Sequence, residues 1–478
     1  MRRLGTLTTV VSTALILGAC ATNPVTGERE LALISESQEI EMGRQAAQEA
    51  AASFGLVDDA ALQQYVSNIG MSLARDSERP DLPWSFAVVD DPSPNAFALP
   101  GGFIFVTRGL LTMMSDEAEL ATVVGHEIGH VTARHSVQQI SRAQLAQIGL
   151  VAGSILSPQV AQLSGLASQG LQLLFLRYGR EAEYEADDLG FRYALEDNYD
   201  VRAFESTFTS LARASQLAGS SPLPAWLSSH PYPEERIARN AQRIAALDRS
   251  LAGTERDPAE YLQQIDGLVY GNNPRHGFFE GNVFHHPDLR FRMTFPQGWK
   301  GQNMTQAVIA ISPQEDAMIQ FTLAGNAEPA AALQQFLSQQ GIQPGQAGTQ
   351  TLNGNPAAVG TFQAQSQDGS VLQGIVAMVR LDGNTFQILG YSPAQRYGAY
   401  SSVFQQSLGT FQRETNQNVL SVQPNRISIV RLPQAMTLQE FNQRYPSDLP
   451  IEELALINQV ESASVRMPAG TMAKRVQK

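Results

Sequence analysis

Apolar residues spaced three and four apart predict helices over Ser35 to Ala52, Ala60 to Arg75, Leu174 to Glu196 and Pro231 to Leu247. Short runs of β-branched and aromatic residues predict strands at Trp84 to Val89, Asn95 to Leu99 and Phe103 to Thr107, the last two flanking the turn-forming Pro100-Gly101-Gly102. A further helix follows, with Ser115 as its cap, Asp116, Glu117 and Glu119 in its first turn, and Leu120, Val123, Val124, Ile128 and Val131 on its apolar face. From Tyr270 to His286 the chain is rich in Gly, Asn and Pro and reads as a connector. Beyond it, strands are expected at Phe291 to Phe295, Val308 to Ile311, Met318 to Leu323, Val371 to Leu381 and Thr385 to Leu389, with a hairpin turn at Asp382-Gly383-Asn384. Helices are expected near Ala330 to Gln339 and Pro393 to Phe411. The last residues read strand, helix, helix, strand at Ile427 to Val430, Thr437 to Tyr445, Ile451 to Asn458 and Met472 to Val476.

At 478 residues the chain is too long for one core. Its formal charge of -13 argues against a nucleic-acid partner, which calls for a basic face. The stretch between Arg142 and Arg177 carries no charge, but Pro158 and repeated Gln and Ser interrupt it. It reads as helices packed on the core or as a cover over a site, not as a membrane span.

The first twenty residues pattern as an export signal: Arg2 and Arg3, then apolar Leu4 to Leu17, then Leu17-Gly18-Ala19-Cys20. Cys20 is the only cysteine, and its position resembles that of the lipidated residue of bacterial lipoproteins. With that thiol consumed, a metal site has to be built from His and carboxylate. Ala21 stands where inner-membrane retention signals usually place Asp, so the expected location is the outer membrane, facing the periplasm.

The chemistry concentrates in His126-Glu127-Ile128-Gly129-His130. On a helix, residues four apart share a face, so His126 and His130 offer two nitrogens to one metal, expected to be a single Zn2+. Glu127, about 100° around the helix from His126, is placed as base toward the water such a metal activates. A catalytic zinc needs a third protein ligand. Glu183 and Asp187, one turn apart in the acidic run from Arg180 to Asp188, are the candidates: Glu183 to reach the metal, Asp187 to orient a ligand imidazole. Taken alone, such an acidic run reads more readily as a solvated helix face.

The set formed by Asn95-Ala96-Phe97, Gly101-Gly102, Gly109-Leu110-Leu111, the HEIGH run with Val131 and Arg134-His135, Glu183 with Asp187, and His230-Pro231 with Arg236 resembles the HtpX and CAAX-prenyl-endopeptidase family of gluzincin metallopeptidases. The resemblance spans about residues 31 to 247 and is nearest to the family's soluble, periplasmic BepA-like members. It implies that Glu183 is the third ligand, that the activity is cleavage of internal peptide bonds, and that His230 and Arg236 belong to the catalytic surroundings. His230 then either stabilises an oxyanion, occupies the open metal position in a latent state, or is a satisfied structural histidine. His135, five residues after His130, is expected to point away from the metal face, in a supporting or packing role. Asn95, Ala96 and Phe97 are expected to pair with an extended substrate.

Together these readings give a multidomain chain. Residues 1–20 are a signal peptide, 21–34 a tether and 35–250 a mainly α-helical zincin-type peptidase domain with a small β element. Residues 251–286 are a connector, 287–415 an α+β module and 425–478 a small βααβ module. The last resembles LysM weakly, through Thr437-Leu438, Asn458 and Gly470, although Ala435-Met436 replaces the Gly-Asp expected before Thr437. The expected function is that of a lipid-anchored zinc endopeptidase acting on unfolded or misassembled outer-membrane or periplasmic proteins. The alternative is a non-proteolytic assembly factor or peptidoglycan-binding factor with a latent zinc site.

Overall fold

The computed structural model describes residues 20–31, 33–150, 178–217, 226, 229–231, 233–248, 250–304, 307–365 and 370–478. The chain divides into two units, Met1–Gly271 with Asn425–Lys478, and Asn272–Pro424. The segment before Cys20, expected to be a signal, and the greater part of the uncharged stretch, with the cover expected there, lie outside the described residues. Among the described residues no helix is long and apolar enough to cross a membrane.

The first unit opens with a short antiparallel pair, β1 (Cys20–Thr22) and β2 (Arg29–Leu31), where the sequence suggested a plain tether. Asn23 closes the turn by accepting the amides of Val25 and Thr26 on its side-chain oxygen. Helix α1 (Glu36–Phe54) starts at a capping box between Ser35 and Gln38, and α2 (Ala60–Arg75) starts at Asp59. Strands β3 (Ser85–Val89), β4 (Ala96–Leu99) and β5 (Phe103–Thr107) form a sheet in the order β3-β5-β4, which leaves β4 on an edge. Helix α3 (Arg108–Met113) leads into α4 (Glu117–Thr132), buried along its length from Ala118 to Thr132. The cap of α4 is Asp116 rather than Ser115: its carboxylate accepts the Glu119 amide, while Glu119 accepts the Ser115 amide in return.

Helices α5 (His135–Leu150), α6 (Arg180–Glu196), α7 (Ala203–Leu217) and α8 (Pro233–Ala245) follow. The core runs from Leu62, Val66 and Leu73 of α2 through Phe86 and Ile104 of the sheet to Leu120, Val124 and Ile128 of α4 and Phe204 and Phe208 of α7. Each large apolar side chain so buried contributes about 1.5–3 kcal/mol.

The expected connector over residues 251–286 is not a linker. Its first half forms α9 (Pro258–Gln264), and Tyr261 and Leu262 of that helix, with Ile265 and Leu268 just after it, enter the same core at helical spacing. It also secures the start of α4: the Arg256 carbonyl accepts the Glu117 amide, and the Arg256 guanidinium donates to Asp116. Its second half, β6 (Phe278–Glu280) and β7 (Val283–His286), joins the second unit.

In the second unit, β6 and β7 continue through β8 (Phe291–Thr294) to β16 (Gln412–Arg413) in a four-stranded sheet. A seven-stranded antiparallel sheet has the order β12-β13-β14-β15-β11-β10-β9. Its strands are β9 (Lys300–Asn303), β10 (Ala307–Ile311), β11 (Met318–Leu323), β12 (Ile342–Leu352), β13 (Asn355–Gln365), β14 (Val371–Leu381) and β15 (Asn384–Pro393). Helices Pro329–Leu337 and Tyr397–Leu408 pack on it. The β14–β15 turn has positive φ at Asp382 (49°) and Gly383 (83°), as a two-residue hairpin requires.

Residues 425–478 return to the first unit. Strands Arg426–Arg431 and Met472–Gln477 pair antiparallel, with helices Leu438–Arg444 and Ile451–Ile457 between them. Lys474 is buried and donates through Nζ to the carbonyls of Thr112 (3.1 Å) and Met114 (2.7 Å), at the end of α3. Gln459 bonds the Met113 carbonyl and the Glu119 carboxylate, so this segment caps α3 and touches the first turn of α4. Replacing Lys474 by Met leaves those carbonyls unpaired and should cost about 2–4 kcal/mol of stability. Urea unfolding measures the loss, and a change below about 0.5 kcal/mol would show that the contact is idle.

Candidate metal centre

The site begins with two helices that approach unusually closely. Gly125 and Gly129 lie one turn apart on α4, facing Ala186 and Gly190 of α6. A Cβ on Gly129 would stand 2.9 Å from the Ala186 carbonyl oxygen, and one on Gly190 would stand 2.6 Å from the His126 nitrogen. These are backbone atoms, which cannot swing aside. The spacing brings His126 and His130 of α4 against Glu183 and Asp187 of α6, and all four side chains are buried.

Four donor atoms converge, one each from His126, His130, Glu183 and His230, all within 4.8 Å of one another. His126 Nε2 is 3.0 Å from His130 Nε2 and 3.8 Å from Glu183 Oε2, and His130 Nε2 is 3.6 Å from Glu183 Oε1. Ligand atoms placed tetrahedrally at zinc distances of about 2.0–2.2 Å stand roughly 3.3–3.6 Å apart, and the separations from the two imidazole nitrogens to one another and to the two Glu183 oxygens bracket that spacing. His230 Nδ1 takes the remaining corner, 3.2 Å from His126 Nε2 and 3.1 Å from Glu183 Oε1. His230 is therefore placed with the donors, and its Nε2 lies 3.4 Å from Glu127 Oε1.

Charge and hydrogen bonding supply a further test of fit. Three buried carboxyl groups, Glu127, Glu183 and Asp187, share the surroundings of one buried guanidinium, that of Arg236. Both Glu127 oxygens lack a hydrogen-bond partner. Burial, then the charge of Arg236, holds His126 below its ordinary pKa. Burial with the neighbouring imidazoles holds His130 well below its own. Both rings are thus kept neutral, the form that donates a lone pair to a metal. Burial opposes ionisation of Glu183, yet His230 and Arg236 outweigh it and lower its pKa; burial likewise opposes protonation of His230, but Glu183 and Glu127 raise it. A divalent cation fits this donor set.

Asp187 accepts from His126 Nδ1 at 2.9 Å and is clamped by Arg236 Nε (2.7 Å) and Nη2 (2.6 Å). Arg236, expected among the catalytic residues, stands behind the donor residues. Its guanidinium is engaged by Asp187 and, at 2.8 Å, by Glu183, and it packs over Phe208 and Trp226. That geometry makes it a positioning residue.

Asn95, Ala96 and Phe97 lie at the start of the edge strand, which packs on α4. Ala96 and Phe97 are buried, and Asn95 Oδ1 is buried without a partner. Two aromatic residues were not singled out in the sequence. Tyr178 stacks on His130 with ring centroids 3.9 Å apart, and Trp226 stacks on His230 at 5.0 Å. Trp226 precedes His230 by one helical turn and its carbonyl accepts the His230 amide, a spacing that was available as a signal.

Residues 60–244 match the profile of Peptidase family M48. The chain is 33% identical over 196 residues to a protein of Vibrio cholerae named putative beta-barrel assembly-enhancing protease, covering 39% of this chain and 40% of that one. It is 30% identical over 263 residues to the beta-barrel assembly-enhancing protease of Escherichia coli K12, covering 53% of each. It is 35% identical over 179 residues to the mitochondrial metalloendopeptidase OMA1 of Schizosaccharomyces pombe, covering 37% of this chain and 51% of that one. The chain thus spans about half the length, or less, of these relatives.

Gly190→Ala tests the helix spacing. Alanine gains about 1 kcal/mol of helix propensity, but overpacking against backbone costs about 1–3 kcal/mol and pushes the ligand helices apart. Zinc affinity, measured by competition with a chromogenic chelator, should fall at least about tenfold. Unchanged affinity would contradict the role assigned to the close approach.

Proposed function

With residues 60–244 forming a metallopeptidase domain of family M48, we propose that this chain is a zinc-dependent endopeptidase that hydrolyses internal peptide bonds of extended polypeptides. The observation that carries the reading is the convergence of His126, His130 and Glu183 beside a buried Glu127 whose oxygens accept no hydrogen bond. Those three residues would hold one zinc ion, with His230 as a fourth donor in the resting arrangement. Zinc, when bound, acidifies water and polarises a carbonyl oxygen.

Glu127 does the proton work. One carboxylate oxygen accepts the proton of the attacking water and returns it to the amine nitrogen as the peptide C–N bond breaks. Asp187 and Arg236 keep His126 turned with Nε2 inward. His230 must leave its corner before a substrate carbonyl can enter, so the resting site is closed. An extended substrate would add to the edge of β4, which pairs with no further strand among the described residues, and backbone pairing there reads conformation more than sequence.

Unfolded or misassembled envelope proteins are the proposed substrates, an inference favoured by the names of the bacterial relatives. The basic and apolar leader before Cys20 favours a lipid-anchored location on the periplasmic face of the outer membrane. A LysM-like role for residues 425–478, with peptidoglycan as partner, has less support. Lys474 and Gln459 of that segment are engaged with α3 and α4.

The test compares the zinc-loaded wild-type chain with Glu127→Gln on reduced, unfolded casein. Glu127→Gln should retain one zinc per chain and lose at least about 100-fold in cleavage rate, the scale of a general base. Chelation should abolish wild-type cleavage and added zinc should restore it. Equal cleavage by the two proteins would refute the proposal.

A further inference from the structure

His130 presents the Nε2 lone pair to the donor cluster only when its ring proton sits on Nδ1, and that proton needs an acceptor. The structure offers Nδ1 of His135, buried and 2.8 Å away. To accept there, His135 must carry its own proton on Nε2, which lies 3.1 Å from Oε2 of Glu185. The three groups satisfy one another in a single direction.

The backbone is shaped to make this contact. On an unbroken helix His135 would turn away from His130, the orientation its five-residue spacing predicts. Instead α4 ends at Thr132, Arg134 adopts a left-handed φ of 58°, and His135 opens α5 facing back toward His130. A non-glycine residue in that region is uncommon and persists where its surroundings hold it. Here Arg134 donates to Glu39 Oε2 (2.9 Å) and to the Ile34 carbonyl (3.0 Å).

We propose that His135 and Glu185 form a positioning relay that holds His130 in its Nδ1-protonated tautomer and so presets Nε2 as a metal donor. The inference rests on the zinc centre proposed above. It assigns to α6 a threefold part in that centre. Glu183 contributes a donor atom, Asp187 orients His126 directly, and Glu185 orients His130 through an intervening imidazole.

The test is zinc affinity, measured by chelator competition on the full chain for the wild type, His135→Leu, His135→Asn and Glu185→Leu. His135→Leu removes the acceptor and should weaken zinc binding about 10–100-fold. His135→Asn places a carbonyl oxygen near the position of Nδ1 and should restore affinity to within about threefold of wild type, a rescue that loss of packing alone would not give. Glu185→Leu frees the His135 tautomer and should weaken binding in the same direction as His135→Leu. Should His135→Leu fail to fold, His135→Asn and Glu185→Leu still decide the matter. Unaltered affinity in Glu185→Leu, or equal loss in His135→Asn and His135→Leu, would overturn the relay. Absence of zinc binding by the wild-type chain would refute the metal centre itself.

Discussion

The backbone contact between α4 and α6 sets the geometry on which the site depends. Gly125 and Gly129 on one helix and Gly190 on the other let the two backbones approach so closely that a Cβ at any of them would press on backbone atoms of the facing helix. The facing residues are then pairs with the same four-residue spacing, His126 with His130 and Glu183 with Asp187. A single register therefore delivers donor atoms and the carboxylate that orients one of them. A methyl group at the crossing would alter every one of these distances together. The sheet, α2 and α9 contribute buried apolar side chains to the core that the pair shares.

Burial of so many charged groups is costly unless each is paired. Arg236 is shared between Asp187 and Glu183 and covered by Phe208 and Trp226, a packing that suits the weakly hydrated guanidinium. Desolvation keeps His126 and His130 neutral. Glu127 is left beside them with oxygens that accept no hydrogen bond, the kind of local departure from full hydrogen bonding that marks reacting groups. The same economy governs the periphery. Arg256 secures the cap of α4, and Lys474 secures the carbonyl end of α3 from a segment some 360 residues away in sequence.

Legibility in the sequence followed the strength of the local signal. The Ala60 to Arg75 helix and the Phe103 to Thr107 strand were readable because their apolar positions are regular, and Asp382-Gly383 because its turn chemistry is specific. Strands β12 and β13 were not. Most of β12 is solvent-exposed, and its Gln, Gly and Thr residues show no alternation to detect. The connector was misjudged because its Gly-rich second half obscured the helical spacing of Leu262, Ile265 and Leu268. At the site, His126, His130, Glu183 and Asp187 were legible from spacing and family resemblance. The contact of His135 with His130 was not, because it depends on a helix break at Thr132 that no Gly or Pro announces. Tyr178 and Trp226 act through stacking across elements, which one-dimensional patterns do not carry.

The central claim is that four buried groups, three imidazoles and one carboxylate, enclose a single zinc ion in the resting protein. Zinc K-edge X-ray absorption on the purified chain tests it most directly. The account predicts one tightly held zinc per chain with four nitrogen or oxygen neighbours at about 2.0–2.1 Å, multiple-scattering features of about three imidazoles, and no sulfur neighbour. A sulfur shell, a six-oxygen environment typical of loosely held surface metal, or a chain that retains no zinc would contradict it.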